Sequence, residues 1–331
     1  MSTNEDLTEQ VKVILIERSK KALELSKQAV LGEHIKHEPL SEALHYFMNE
    51  ILCDSSHPTL LSLACEAVGG NPDATVGIGA ALVLLAGAAD MHDDIIDKSK
   101  MKNCKPTVYG KFGKDVALIA GDVLWIKGML MLNEACKHFP SEKRQAILEL
   151  TKQAFFDIGS AEAKETDLHG NFDIKPETYL EIIKLKVSLA TASAEIGAIV
   201  GNGTSQQIED LGDYARTLGV LMTIRDEFID MFELDELTNR FRNECLPLPI
   251  LCTFQDVSLK QKILEFLRKA DVSEAKLDEM LELIYDSPEV HKLLEFMHLS
   301  VKNEVKNLHY VKEIEDALRE LLEFSLQDLP S

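Results

Sequence analysis

The stretch VGIGAALVLLAGAADMHDDIID, Val76–Asp97, stays uncharged through Ala89 and then sets down Asp90, Asp93, Asp94 and Asp97. An apolar run without period-two alternation reads as a buried helix. At ~100° per residue the four acids fall in one stripe, placed where that helix emerges from a core. Carboxylates three and four residues apart repel, and at a helix C-terminus they oppose the macrodipole. Either the stripe faces water or something cationic is held there.

The rest of the chain repeats the helical signal. VKVILIERSKKALELSKQAVL, DVALIAGDVLWIKGMLMLNEACKHF and TSQQIEDLGDYARTLGVLMTIRDEFIDMF carry the i, i+3, i+4 spacing of buried helix faces. KPETYLEIIKLKVSLATASAEIGAIVG reads as one more helix, with Pro176 in its first turn. Thr204 with Gln207 forms a capping box. Strand alternation is not seen, and no linker divides the chain. The pattern predicts a single all-α domain over residues 1–331 with about ten or more helices, and Ala/Gly enrichment around Gly77–Ala89 and Ala190–Gly201 predicts close helix packing.

Composition narrows the function. The 331 residues are 45% hydrophobic and 27% charged, and 35 basic against 56 acidic residues give a net charge of −21. Such a field disfavours nucleic acid and anionic lipid, and repels an anionic small substrate unless metal ions reverse the local sign. Six scattered cysteines without a C-x-x-C pair suggest neither a disulfide framework nor a zinc site, and reduced thiols suit a cytoplasmic protein. The start is polar and unlike a signal peptide. The run Ala74–Ala89 is shorter than the ~20 residues a membrane helix needs, so no transmembrane segment is expected.

A second acidic set, Asp226, Glu227 and Asp230 in IRDEFID, again follows an apolar helical run. Magnesium takes one or two carboxylates and completes its shell with water and substrate phosphates. Two such sets therefore predict a diphosphate held through several Mg²⁺ ions.

These motifs resemble those of the trans-isoprenyl diphosphate synthases, or polyprenyl synthetases. HDDIID (His92–Asp97) is similar to the family's first aspartate-rich motif, and IRDEFID to its second, with Glu227 where a second Asp is usual. KPTVYGKFGKDVALIAGDVLW looks like the segment after the first motif, and LKVSLATASAEIGAIVG like the family's lysine-bearing helix; the resemblance is clearest over residues 58–250. It implies an α-helical bundle around a deep apolar cavity, usually a homodimer, that ionises an allylic prenyl diphosphate and transfers it to isopentenyl diphosphate. Carried over by position, Asp93, Asp94, Asp97, Asp226 and Asp230 would hold Mg²⁺. Lys102, Lys186 and Arg240 would contact diphosphate, and Ala88 and Ala89, small where bulky side chains limit product length, would leave the cavity open to a long chain.

The departures cluster. Lys102-Asn103-Cys104 replaces the family's Arg-Arg-Gly, and Lys102 lacks arginine's bidentate fork. CDSSHP, Cys53–Pro58, replaces a Gly-Lys-Arg-x-Arg-Pro cradle and offers only His57 as a cation. Val187 and Thr223 stand where the family has threonine and glutamine. The allylic half of the expected site is kept and the isopentenyl half is depleted. Elongation is the family reaction. A terpene-synthase-like enzyme, a prenyltransferase with another acceptor, and a regulatory subunit paired with an active synthase are the alternatives. Asp90, apolar in the family, reads as solvated or paired with a lysine, and His92 as a structural support.

Overall fold

The computed structural model describes residues 2–102, 104–269, 274–308, 314–327 and 329; Asn103, read above as a lost charge, lies outside them. The described residues are overwhelmingly helical, as the periodicity predicted. In chain order the helices are α1 (Ser2–Leu31), α2 (Glu38–Tyr46), α3 (Ser56–Ala67), α4 (Val76–Ile96), α5 (Val108–Phe112), α6 (Lys114–Ala135), α7 (Ser141–Asp167) and α8 (Pro176–Lys186). Then follow α9 (Ser188–Val200), α10 (Ser205–Asp230), α11 (Leu234–Asn243), α12 (Leu248–Thr253), α13 (Val257–Leu267), α14 (Glu274–Tyr285), α15 (Pro288–Asn307) and α16 (Glu315–Phe324). One departure from the all-helical expectation is a two-residue hairpin, β1 (Met101–Lys102) antiparallel to β2 (Lys105–Pro106).

The chain divides into two compact units. The first comprises residues 1–155, 189–215 and 311–317, and the second residues 156–188, 216–310 and 318–331. Helix α4 is the axis of the first unit and packs most extensively against α6, then α1 and α3. Ile78, Leu82, Val83, Leu84 and Leu85 are fully buried. Pro72–Ile96, taken with the preceding 3₁₀ turn, is 25 residues long and apolar enough to cross a membrane, which corrects the shorter reading of Ala74–Ala89. Two-thirds of its most apolar window (67%) is buried in protein, the signature of a core helix. Close packing follows the small residues: a Cβ on Gly197 of α9 would stand 2.2 Å from the Leu61 carbonyl of α3, and one on Gly128 of α6 2.8 Å from Leu85 of α4.

In the second unit α12 packs on α15 and α8, and Tyr179, Phe228, Leu237 and Ile250 are buried. The apolar segment 175–201, read as one helix, is two: α8 closes with Val187 donating to the Ile183 carbonyl at 3.2 Å, and α9 starts afresh at Ser188. Pro176 does occupy the first turn of α8. The capping box of α10 forms, with Thr204 N–H donating to Gln207 Oε1 at 2.9 Å and Gln207 N–H to Thr204 Oγ1 at 3.3 Å.

Candidate active site

In the first unit the acidic stripe sits on the last two turns of α4, which is stopped just beyond it. Asp97 caps the helix, Lys98 takes φ +57°, and Ser99 N–H returns to the Asp94 carbonyl at 2.9 Å, a Schellman closure. The hairpin that follows depends on Thr107 and Gly110. The Thr107 hydroxyl donates to Ser99 O at 2.8 Å and receives Gly110 N–H at 2.9 Å, while a Cβ on Gly110 would meet the Lys100 carbonyl at 2.1 Å. So folded, the hairpin carries Lys102 back over α4.

Lys102 Nζ lies 3.1 Å from Asp94 Oδ1 and 3.8 Å from Asp90 Oδ1. Asp90 is thus an exposed acid paired with a lysine, as the sequence reading had it. Asp94 is buried, and burial pushes its carboxyl up to about 6 despite Lys102. Asp93 Oδ1 is buried and has no hydrogen-bond partner among the described residues. His92 Nε2 contacts Leu118 O at 3.3 Å and Asp122 Oδ1 at 3.5 Å on α6, a support between helices. Of the two small residues ahead of the motif, Ala88 is fully buried in the cluster of Phe47, Met48 and Leu84, and Ala89 is half-buried.

Upstream in the same unit, CDSSHP opens α3. Asp54 Oδ1 accepts the His57 N–H at 3.3 Å, and Asp54 Oδ2 lies 2.8 Å from His57 Nδ1. Burial would lower the imidazole pKa, but the Asp54 charge and hydrogen bond, with Asp90 beyond, leave it raised.

In the second unit the IRDEFID residues divide by burial. Asp226 has 63% of its side chain exposed, 3.4 Å from Arg225 Nη1, whereas Glu227 is 3% exposed. Glu227 Oε1 accepts from Tyr179 Oη at 2.7 Å and Arg240 Nη2 at 2.9 Å, and its Oε2 accepts the Leu248 N–H at 2.8 Å. Burial raises its pKa, opposed first by Arg240. Arg240 Nη1 also donates to Asp230 Oδ2 at 2.8 Å. Lys186, at the end of α8, pairs with Glu162 at 3.3 Å and closely with Glu165, both on α7. Sequence reasoning assigned no role to Tyr179 or Glu165: Tyr179 is a polar-tipped ring in an apolar stretch, and Glu165 lies in the polar segment AKETDL, where nothing local marks its pairing with Lys186.

These donors suit a hard cation. Each motif presents carboxylates at i and i+4, Asp93 with Asp97 and Asp226 with Asp230, and Asp93 Oδ1 is buried without a hydrogen-bond partner among the described residues. Among the described residues no three His, Cys, Asp or Glu side chains converge into a closed cage. Magnesium needs none, because water and phosphate supply most of its shell.

The polyprenyl synthetase family model matches residues 37–284, and the chain belongs to that family. A short chain isoprenyl diphosphate synthase of Methanothermobacter thermautotrophicus is 32% identical over 180 residues, 54% of each chain. Geranylgeranyl pyrophosphate synthase 11 of Arabidopsis thaliana is 32% identical over 186 residues, 53% of this chain and 52% of that one. The chain spans about half the length of the curated relatives it matches. Among solved structures, a geranylgeranyl pyrophosphate synthetase from Pyrococcus horikoshii shares the fold at TM-score 0.82 and 22% identity, covering 97% of this chain and 99% of that one. A Caulobacter crescentus polyprenyl synthase complexed with calcium and isoprenyl diphosphate follows at TM-score 0.77 and 19% identity, covering 95% and 96%.

Proposed function

We propose that the protein is a Mg²⁺-dependent prenyltransferase that ionises an allylic prenyl diphosphate, its family reaction being head-to-tail transfer to isopentenyl diphosphate. The buried, partnerless Asp93 oxygen beside the hard-donor stripe of α4 carries this reading. Family membership, relatives named as isoprenyl and geranylgeranyl diphosphate synthases, and the cation and isoprenyl diphosphate bound by the Caulobacter protein add support. Asp93, Asp97, Asp226 and Asp230 would hold the cations, Asp94 with Lys102 would brace the first motif, and Lys186 would contact the diphosphate. Bound Mg²⁺ supplies Lewis-acid neutralisation of the leaving group. The allylic C1–O bond breaks with its electron pair on the diphosphate. The acceptor then bonds to C1 and gives up a proton.

A second reading has one specific support. The Cys53–Pro58 segment presents an Asp54–His57 pair in place of cations, and Lys102 is engaged by Asp90 and Asp94. That arrangement suits an acceptor without a diphosphate. Homodimer assembly is supported by an exposed apolar face on α6, and a cytoplasmic setting by six unpaired thiols.

The test incubates purified protein with Mg²⁺ and geranyl, farnesyl or geranylgeranyl diphosphate, with and without isopentenyl diphosphate. Longer diphosphates that require isopentenyl diphosphate establish elongation. Hydrocarbons or alcohols without it establish the second reading. No product alone, but altered product with an active synthase, turns the assignment to a regulatory subunit.

A further inference from the structure

The second acidic motif is tied to a buried polar network centred on Arg240, which is 7% exposed. Its Nε donates to the Cys245 carbonyl at 3.2 Å and its Nη1 to Asp230 Oδ2 at 2.8 Å. Its Nη2 donates to Tyr179 Oη at 3.0 Å and to Glu227 Oε1 at 2.9 Å. A guanidinium offers five N–H donors in a rigid fork. Four are engaged inside the protein, which leaves little for a substrate anion. Tyr179, 2% exposed, donates to the same Glu227 oxygen.

Glu227 is occupied as fully. Both its oxygens accept from protein donors, three hydrogen bonds in all, and at 3% exposure little of the carboxylate is open to a metal. Arg240 offsets the Glu227 charge in place. What remains on the open side is Asp226, 63% exposed, and Asp230, 32% exposed and gripped by Arg240 through Oδ2. A carboxylate held through one oxygen presents the other in a fixed direction. The network also joins three segments of the unit: Tyr179 on α8, Glu227 and Asp230 on α10, and Arg240 on α11.

The geometry points to Arg240 as a positioning residue that, braced by Tyr179 and Glu227, aims Asp230 at a divalent cation and does not itself touch the diphosphate. This rests on the metal-diphosphate function proposed above and replaces the substrate contact expected for Arg240 from sequence. Groups that orient metal ligands from behind are worth 10–100-fold in metal affinity or activity. Lysine at 240 would keep the charge and reach one partner, losing the fork.

Two variants decide it. Tyr179→Phe removes one hydroxyl at nearly constant volume, and Arg240→Lys removes the fork. Mn²⁺ serves as the probe cation, with binding in the presence of inorganic diphosphate followed by calorimetry and Mn²⁺ paramagnetic resonance, and melting curves confirming folded protein. Both variants are expected to bind Mn²⁺ about 10-fold or more weakly. Diphosphate affinity at saturating Mn²⁺ should stay near wild type. Turnover should show the same split, with a raised Mg²⁺ requirement and an unaltered prenyl diphosphate KM at saturating Mg²⁺. Folded variants that bind Mn²⁺ like wild type overturn the proposal. So does Arg240→Lys weakening diphosphate at saturating metal while Tyr179→Phe is silent, which would make Arg240 a direct contact. If Arg240→Lys does not fold, Tyr179→Phe decides alone. Wild type that binds no Mn²⁺ overturns the metal reading itself, and this proposal with it.

Discussion

Lys102 and Asp94 form the closer half of a shared ion pair: one ammonium stands 3.1 Å from Asp94 and 3.8 Å from Asp90, one turn away on α4. Asp94 keeps 8% of its side chain exposed and Asp90 67%, so the lysine matters mainly to Asp94. Removing one partner of a buried pair leaves an uncompensated charge, although Lys102, 46% exposed, is partly replaced by solvent. Lys102→Ala should therefore cost roughly 1–2 kcal/mol, with Asp90→Asn within about 0.5. Adding Asp94→Asn to Lys102→Ala should recover most of the loss. Urea denaturation in EDTA measures all three, and equal losses for Lys102→Ala alone and with Asp94→Asn would show the pair to be energetically silent.

The Asp54–His57 pair sets a pH dependence. The imidazole pKa is raised in the fold, burial being outweighed by the Asp54 charge and hydrogen bond and by Asp90. A group with a higher folded pKa stabilises fully below its unfolded value, about 6.5, and that stabilisation is lost as pH rises through the folded value. From pH 6 to pH 8.5 the urea midpoint of the wild type should fall further than that of His57→Gln. Parallel curves would mean the charged pair contributes nothing.

Much of this was legible in the sequence because it is local. The periodicity of Val76–Ala89, the Pro176 helix start and the Thr204–Gln207 box depend on neighbours within a few residues, and each formed. What was not legible depends on distance or on backbone detail. Arg240 can be aligned with a diphosphate-binding lysine by spacing alone. Its capture by Glu227 and Tyr179, 13 and 61 residues away, appears only when α8, α10 and α11 are assembled. Lys102 reaches Asp94 from a hairpin in which Cys104 takes φ +59°, a conformation no glycine announces. The break at Val187 interrupts a stretch whose composition continues as helix on both sides.

Helix α6 exposes Ile119, Ile126 and Leu130 at 50%, 62% and 62%, with Leu118 and Met129 at 43% beside them, a row that water disfavours. If this face joins two copies, Ile126→Glu puts a charge into a desolvated seam twice, once per protomer. Sedimentation equilibrium should give a dimer for the wild type and half that mass for the variant, with unchanged helical circular dichroism. A variant that stays dimeric removes α6 from the interface, and a monomeric wild type removes the dimer.

The two acidic motifs should separate stability from activity in different ways. Asp93 holds a buried carboxylate oxygen with no partner among the described residues, whereas Asp226 is 63% exposed. Leaving a buried acceptor unsatisfied costs about 1–3 kcal/mol, and a charged one more. Without metal, Asp93→Ala should therefore unfold at higher urea than wild type, by about 1 kcal/mol or more. Asp226→Ala should change little, within about 0.5 kcal/mol. Both should lose Mg²⁺-dependent diphosphate release by roughly 10³-fold, because several kcal/mol of leaving-group stabilisation disappear at ~1.4 kcal/mol per tenfold. A stabilised and inactive Asp93→Ala is the mark of a strained ligand, since a merely structural aspartate would lose stability on removal. Release that survives in both variants would sink the metal assignment, whatever their stability.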